Sequence, residues 1–208
     1  MALCLAHATA GYLAYEALRP SGPHRLGLLA GAVVLANAPD LDFVPGLLVG
    51  RPDAFHRGVT HTLGAAVLVT VAAWAIARWR GGGGTGPRDG AGAPAPPRPG
   101  WWAALAAAAY GSHLLVDWVT VDAVPPVGIQ MLWPLTASWL HAPFNLLGEV
   151  IIDRSGRGAF VRSLLTPTAL LAWAHELGVA VVAVASVHVF RAIRAVLAAP
   201  VADESLEP

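Results

Sequence analysis

The stretch Thr168–Phe190 reads TALLAWAHELGVAVVAVASVHVF, and Arg191 and Arg194 follow it. A helix needs roughly 20 predominantly apolar residues to cross the hydrocarbon core of a bilayer. This stretch has that length and a single carboxylate, Glu176, near its start. Two others run to about nineteen residues: Val59–Ala77, which ends at Arg78, and Trp101–Val119. Two amino-terminal stretches, Ala2–Leu18 and Leu26–Ala36, are shorter. Nothing alternates with the period of a strand. The expectation is an all-α integral membrane helical bundle, with about three full spans plus two short amino-terminal helices.

Composition agrees. The 208 residues suffice for one domain. They are 56% hydrophobic and only 12% charged, where a soluble domain carries roughly 25% charged residues. Mean hydropathy is +0.58. Thirteen Arg balance thirteen Asp and Glu, and there is no Lys. Disorder needs low hydrophobicity and high net charge, so it is excluded. A nucleic-acid binder would show a basic excess, so none is expected. The single Cys4 excludes an internal disulfide framework and a Cys-based zinc site. The amino-terminal run lacks a basic n-region and is read as mature fold, not a signal peptide. Residues 1–198 are read as one domain. Within it 81–100 is a Gly/Pro-rich flexible linker, and 120–167 is an extramembrane region of loops and short helices. Residues 199–208 are read as a disordered tail.

Arginine gives the orientation. Arg19 and Arg25, then Arg78, Arg80, Arg88 and Arg98, then Arg191 and Arg194 fall in three places. Alternating helices would put all three on one side, expected to be cytoplasmic. Arg51, Arg57, Arg154, Arg157 and Arg162 lie on the other side and weigh against this without reversing it.

The ionisable residues gather at the end away from the Arg-rich loops. His7 is early in the first segment. Asp40 and Asp42 follow the second. His56 and His61 open the third. His113 and Asp117 close the fourth, and His175 and Glu176 begin the fifth. His113 and Asp117 are spaced i,i+4, which puts both on one helix face, where they can share one Zn²⁺ or similar ion. Alone, the pair reads equally well as a plain hydrogen bond, but ionisable groups in membrane helices are costly and tend to be functional. Asp40 and Asp42 follow Pro39, and a bend there can aim one or both inward. On one continuous helix His56 and His61 would diverge, so they converge only if His56 precedes the helix and Gly58 allows a turn. Thr60 can cap the helix or orient a ligand. Arg57 can hold an anion. Gly11, one turn after His7, would let another helix approach. His175 and Glu176 are about 100° apart, so one of them points inward, with Glu176 preferred. His24 reads as surface and His188 as structural, while His141, in the long loop, reads as substrate-facing or merely exposed.

Four blocks in order carry a family resemblance: Asn37–Asp42 (NAPDLD), His56–Thr62 (HRGVTHT), Ser112–Asp117 (SHLLVD), and Gly128 through Leu132–Leu135 (LWPL). Together, after an early His, the chain resembles the YdjM-like membrane-bound metal-dependent hydrolases over roughly residues 1–135, and more faintly to about 180. Thr62 stands where the family pattern has Ser, and Val116 where it has Leu. That family looks related to the zinc-dependent phospholipase C and single-strand nuclease superfamily. The resemblance implies that His7, Asp42, His56 or His61, His113 and Asp117 are metal ligands, with Glu176 completing the set.

The expected function is a metal-dependent hydrolase in the cytoplasmic (inner) membrane, with its site at the extracytoplasmic face. One to three divalent ions, Zn²⁺ or else Mn²⁺, would activate a water. Asp40 or Asp42 would be the general base and Arg57 would stabilise developing charge. A phosphoester or other ester of a lipid-linked or amphiphilic substrate is expected. The competing readings are a non-catalytic metal protein (sensor or transporter) and a structural membrane protein. Transport would place the ligands nearer the bilayer midplane than these span ends.

Overall fold

The computed structural model describes residues 3–19, 24–51, 54–82, 97–120, 127–148, 150–151, 153 and 155–197. Among them are seven α-helices and no β-sheet: α1 (Cys4–Leu18), α2 (Leu26–Asn37), α3 (Phe43–Leu48), α4 (Leu63–Gly82), α5 (Pro99–Trp118), α6 (Arg157–Ser163) and α7 (Pro167–Leu197). Two 3₁₀ turns, Pro39–Asp42 and Val59–His61, precede α3 and α4. The expected tail and most of the expected linker lie outside the described residues. At the linker's edges α4 runs on to Gly82, and α5 already begins at Pro99.

Local chemistry sets the boundaries. Pro99 and Pro167 open α5 and α7, where a missing N–H costs nothing. Thr62 caps α4, its hydroxyl accepting the Ala65 N–H at 3.1 Å. Thr166 does the same for α7 through Ala169.

The helix α5 is the centre of the bundle and packs against α1, α2 and α4. Leu105, Ala106, Ala109, Tyr110 and Leu114 bury its apolar length. The helices α4 and α7 are long and apolar enough to cross a membrane, and only 6% of each span is buried within the protein. Val67, Leu68 and Val71 on α4, and Val181, Val182 and Val189 on α7, present their side chains outward. The bent pair α2–α3, turning by 52°, makes a third candidate. The expected segment Trp101–Val119 forms α5, which runs alongside α4 from the Arg-rich end to the opposite one. A helix surrounded by other helices needs no lipid-like face, and α5 uses Ala, Gly, Ser, His and Asp where α4 and α7 use Val, Leu and Ile.

Close approach of α1 and α2 depends on Gly11. A Cβ there would stand 2.7 Å from the Ala32 carbonyl oxygen and 2.8 Å from the Ala36 Cβ.

The Arg-rich ends do share one side. Glu16 of α1 is fully buried and pairs with Arg19 at 2.9 Å, with His24 at 3.4 Å, and with Arg191 of α7. The Trp101 Nε1–H of α5 bonds the Leu18 carbonyl at 2.8 Å. The carboxyl ends of α1 and α7 and the amino end of α5 therefore meet.

At the opposite end the chain is mostly irregular. The Ile129 and Leu140 backbones exchange hydrogen bonds at 3.0 and 2.9 Å. Leu63 N–H bonds the Met131 carbonyl, and Ala142 N–H bonds Trp118. This loop is thus tied to the start of α4 and the end of α5. Of the short helices expected in it, α6 is the one among the described residues.

Candidate metal centre

Four stretches deliver side chains to the cluster at the end opposite the arginines: α1, the Pro39–Asp42 turn, His56–His61 and α5. In α5 the His113 Nδ1 lies 2.8 Å from the Ala36 carbonyl at the end of α2. A carbonyl only accepts, so Nδ1 carries the hydrogen and Nε2 presents a lone pair. The His61 Nδ1 lies 3.2 Å from Asp42 Oδ2 and 3.0 Å from the Thr60 hydroxyl. The carboxylate holds the hydrogen on Nδ1, so Nε2 again faces inward. These two Nε2 atoms are 3.1 Å apart. Two lone pairs at that distance need a proton or a cation between them.

Carboxylates close the site. Asp117 Oδ2 is 3.4 Å from His61 Nε2 and 3.5 Å from His113 Nε2, is buried, and has no hydrogen-bond donor. Asp40 Oδ1 is 3.5 Å from His61 Nε2 and 3.7 Å from His113 Nε2. His7 stacks on His113 with ring centroids 3.8 Å apart. Its Nε2 is 3.6 Å from Asp117 and 3.7 Å from Asp40.

Zinc binds nitrogen and oxygen at about 2.0–2.2 Å, which puts the ligands of a tetrahedral ion roughly 3.3 Å from one another. The spacings above match that geometry. The groups His61–His113–Asp117, His7–Asp40–His113 and Asp40–His56–His61 can each hold an ion. Each inner histidine is also oriented by its outer nitrogen, one by a carboxylate and one by a carbonyl, as metal-ligating histidines are.

Asp40 and Asp42 are separated by the 3₁₀ turn. Three residues per turn direct them about 120° apart. Asp40, 19% exposed, borders the inner histidines. Asp42 sits behind His61 and accepts from His56 Nδ1 at 3.0 Å, Thr60 Oγ1 at 2.8 Å and the Arg57 N–H at 3.1 Å. In the metal-free protein, burial opposes charge on His61, but Asp40 and Asp42 outweigh it and push the imidazole up to about 9. Burial prevails at His56 and lowers it, against the pull of Asp42.

As the two histidines require, His56 precedes the helix and a turn over Arg57 and Gly58 separates it from His61. The left-handed residue is Arg57, at φ 62°, while Gly58 has φ −80°. Gly58 matters for space instead, because a Cβ would press on the Phe55 carbonyl at 3.1 Å. The Asp42–Arg57 and Asp42–Thr60 bonds over-determine this loop and hold the uncommon backbone conformation. The Arg57 guanidinium bonds the Gly128 carbonyl at 3.0 Å, tying the outer loop to the site. Gly128 is itself left-handed, at φ 91°, with no room for a Cβ under Leu140.

Glu176 is elsewhere. Its two oxygens accept the N–H groups of Leu3 at 2.6 Å and Ala6 at 3.1 Å. A carboxylate from α7 thereby caps the start of α1, taking the Leu3 N–H and sharing the Ala6 N–H with the Leu3 carbonyl. His175 is exposed. Two supports carry no sequence signal: Tyr110, whose hydroxyl bonds the Thr60 carbonyl at 2.7 Å, and Phe43, stacked on His56 at 3.8 Å and backed by Phe160 of α6.

A family model described as YdjM inner membrane protein matches residues 1–198. The chain belongs to this family. No curated protein and no solved structure matches it. Membership in the YdjM family and the apolar, outward-facing α4 and α7 agree that this is a membrane protein. The YdjM match spans every His and Asp of the cluster as well as Glu176.

Proposed function

We propose that the protein is a membrane-bound metal-dependent hydrolase that cleaves a phosphoester or other ester of a lipid-linked or amphiphilic substrate. The observation that carries this reading is the 3.1 Å approach of the His61 and His113 Nε2 atoms beside the donor-free Asp117 Oδ2. His61, His113 and Asp117 would hold the ion, with His7 beside them. Bound there, a Zn²⁺ or Mn²⁺ ion would supply a water whose pKa is lowered toward neutrality.

We assign the general base to Asp40 rather than Asp42. Asp40 is the most exposed carboxylate of the cluster, whereas Asp42 is already occupied by His56, Thr60 and the Arg57 N–H. Asp42 then orients His61, and Arg57 positions the outer loop rather than stabilising charge. Exposed Leu41, Leu48, Phe55 and Val59 surround this end, a surface suited to a substrate that arrives from the lipid phase. The reading places the site at the extracytoplasmic face, opposite the Arg-rich end. Likeness to the zinc-dependent phospholipase C superfamily is part of this proposal.

The test is turnover of chromogenic phosphomonoesters, phosphodiesters and carboxylic esters with acyl tails, in micelles. Chelation should abolish turnover and added metal should restore it. Asp40→Asn should keep its metal and lose rate by about 10²–10⁴-fold. Full rate in Asp40→Asn would remove the base, and no turnover of any ester with metal bound would leave a non-catalytic metal protein.

A further inference from the structure

At the Arg-rich end, α4 and α5 line a cavity of about 500 Å³. Ala73, Ile76 and Ala77 of α4 and Trp102 of α5 give it an apolar wall. Arg80 and Arg98 line it where the two helices end, and both are exposed. Four other arginines of this end are engaged: Arg19 and Arg191 on Glu16, Arg78 over the Trp74 ring, Arg194 over Phe190. Arg80 and Arg98 make no ion pair among the described residues.

A second feature points the same way. Arg98 is the N-cap of α5 and supplies no side-chain cap. Pro99 has no N–H, and the Gly100 N–H has no intrahelical acceptor. The positive end of a twenty-residue helix therefore opens beside two guanidinium groups that make no ion pair among the described residues. A phosphate there would meet all three, and an apolar chain attached to it would lie along the wall below.

We propose that this groove binds an anionic phospholipid of the leaflet on the Arg-rich side. Its phosphate sits between Arg80 and Arg98 at the start of α5. One acyl chain runs along Ala73, Ile76, Ala77 and Trp102. A glycerol headgroup leaves the net negative charge uncompensated. A choline headgroup brings a cation against the two arginines, so phosphatidylcholine binds less well. The site lies at the far end of the bundle from the His–Asp cluster and does not depend on what that cluster does.

The experiment uses the full chain, purified and delipidated in detergent, titrated with phosphatidylglycerol or phosphatidylcholine and read by native mass spectrometry. The unmodified protein should prefer phosphatidylglycerol. Arg80→Gln with Arg98→Gln should weaken that binding roughly thirtyfold while leaving phosphatidylcholine unchanged. Arg80→Lys with Arg98→Lys should keep most of it. Inorganic phosphate should not displace the lipid. Equal binding of the two lipids by the unmodified protein would overturn the proposal, as would full phosphatidylglycerol binding by the Gln pair. Displacement by inorganic phosphate would make this a free-anion site and equally overturn it. If the Gln pair does not fold, the preference of the unmodified protein decides.

Discussion

His61 and His113 come from the starts and ends of different helices, yet their Nε2 atoms face each other at 3.1 Å. Both outer nitrogens are fixed, one by Asp42 and one by the Ala36 carbonyl. The neighbouring Asp40 and Asp42 favour a protonated His61, whose Nε2–H would bridge the pair. A metal ion would take that proton's place.

This exchange has a pH signature. The folded, metal-free value of His61, about 9, lies above its ordinary 6.5. A raised histidine stabilises the fold fully below the ordinary value and loses that contribution as pH rises through the raised one. The melting temperature of the metal-free protein should therefore fall between about pH 7 and about pH 9.5, and His61→Ala should flatten the slope. Metal affinity should run the other way, weakening as pH falls below about 9, because binding releases the proton. A flat melting profile in the unmodified protein would show that no such proton is held.

Asp42 should matter through His61. Asp42→Ala frees the His61 and His56 Nδ1 atoms and the Thr60 hydroxyl. Loss of such an orienting partner typically lowers metal affinity by about 10–100-fold. Titration with a competing chelator measures it. Unchanged affinity would mean that Thr60 alone orients the ring.

Glu176 is expected to act on α1 rather than on metal. Glu176→Ala removes the acceptor of the Leu3 N–H, leaves the Ala6 N–H only the Leu3 carbonyl, and should cost about 1–3 kcal/mol of stability. Glu176→Gln keeps an acceptor oxygen and should cost less. Both variants should still bind metal in full at saturation. A variant that melts normally but holds less metal would make Glu176 a ligand after all.

Gly11→Val should separate α1 from α2, since even a Cβ meets the Ala32 carbonyl and the Ala36 Cβ below 3 Å. Overpacking of this kind costs about 1–3 kcal/mol. Ala36 also holds His113, so metal affinity should fall with stability. A thermal melt and a chelator titration on one sample test both.

Much of this was legible in the sequence. The apolar Val- and Leu-rich runs identified α4 and α7, and the positions of His7, Asp40, His61, His113 and Asp117 at one end of their segments foretold the convergence. The arginines foretold the shared opposite end, but nothing in the sequence marks Glu16 as the buried carboxylate that joins α1 to α7 there. What stayed hidden depended on turns and on neighbours. An Asp-x-Asp pair after Pro reads alike on a helix or a loop, and only the 3₁₀ turn separates Asp40 from Asp42. Arg57 carries the left-handed conformation because Asp42 and Thr60 hold the loop, which no residue type announces. Glu176 sits at the metal-site end of α7, but that it meets the first turn of α1 is a fact of packing. The length of α5 is legible in the sequence, but that its Ala-rich surface serves other helices is again a fact of packing.

The most direct test is the metal content of detergent-purified protein, beside a His113→Ala, Asp117→Ala double variant, after metal has been supplied to both. The account predicts stoichiometric metal in the unmodified protein and a clear loss in the variant. No metal in either would contradict it, and would leave the His–Asp cluster as a set of internal ion pairs.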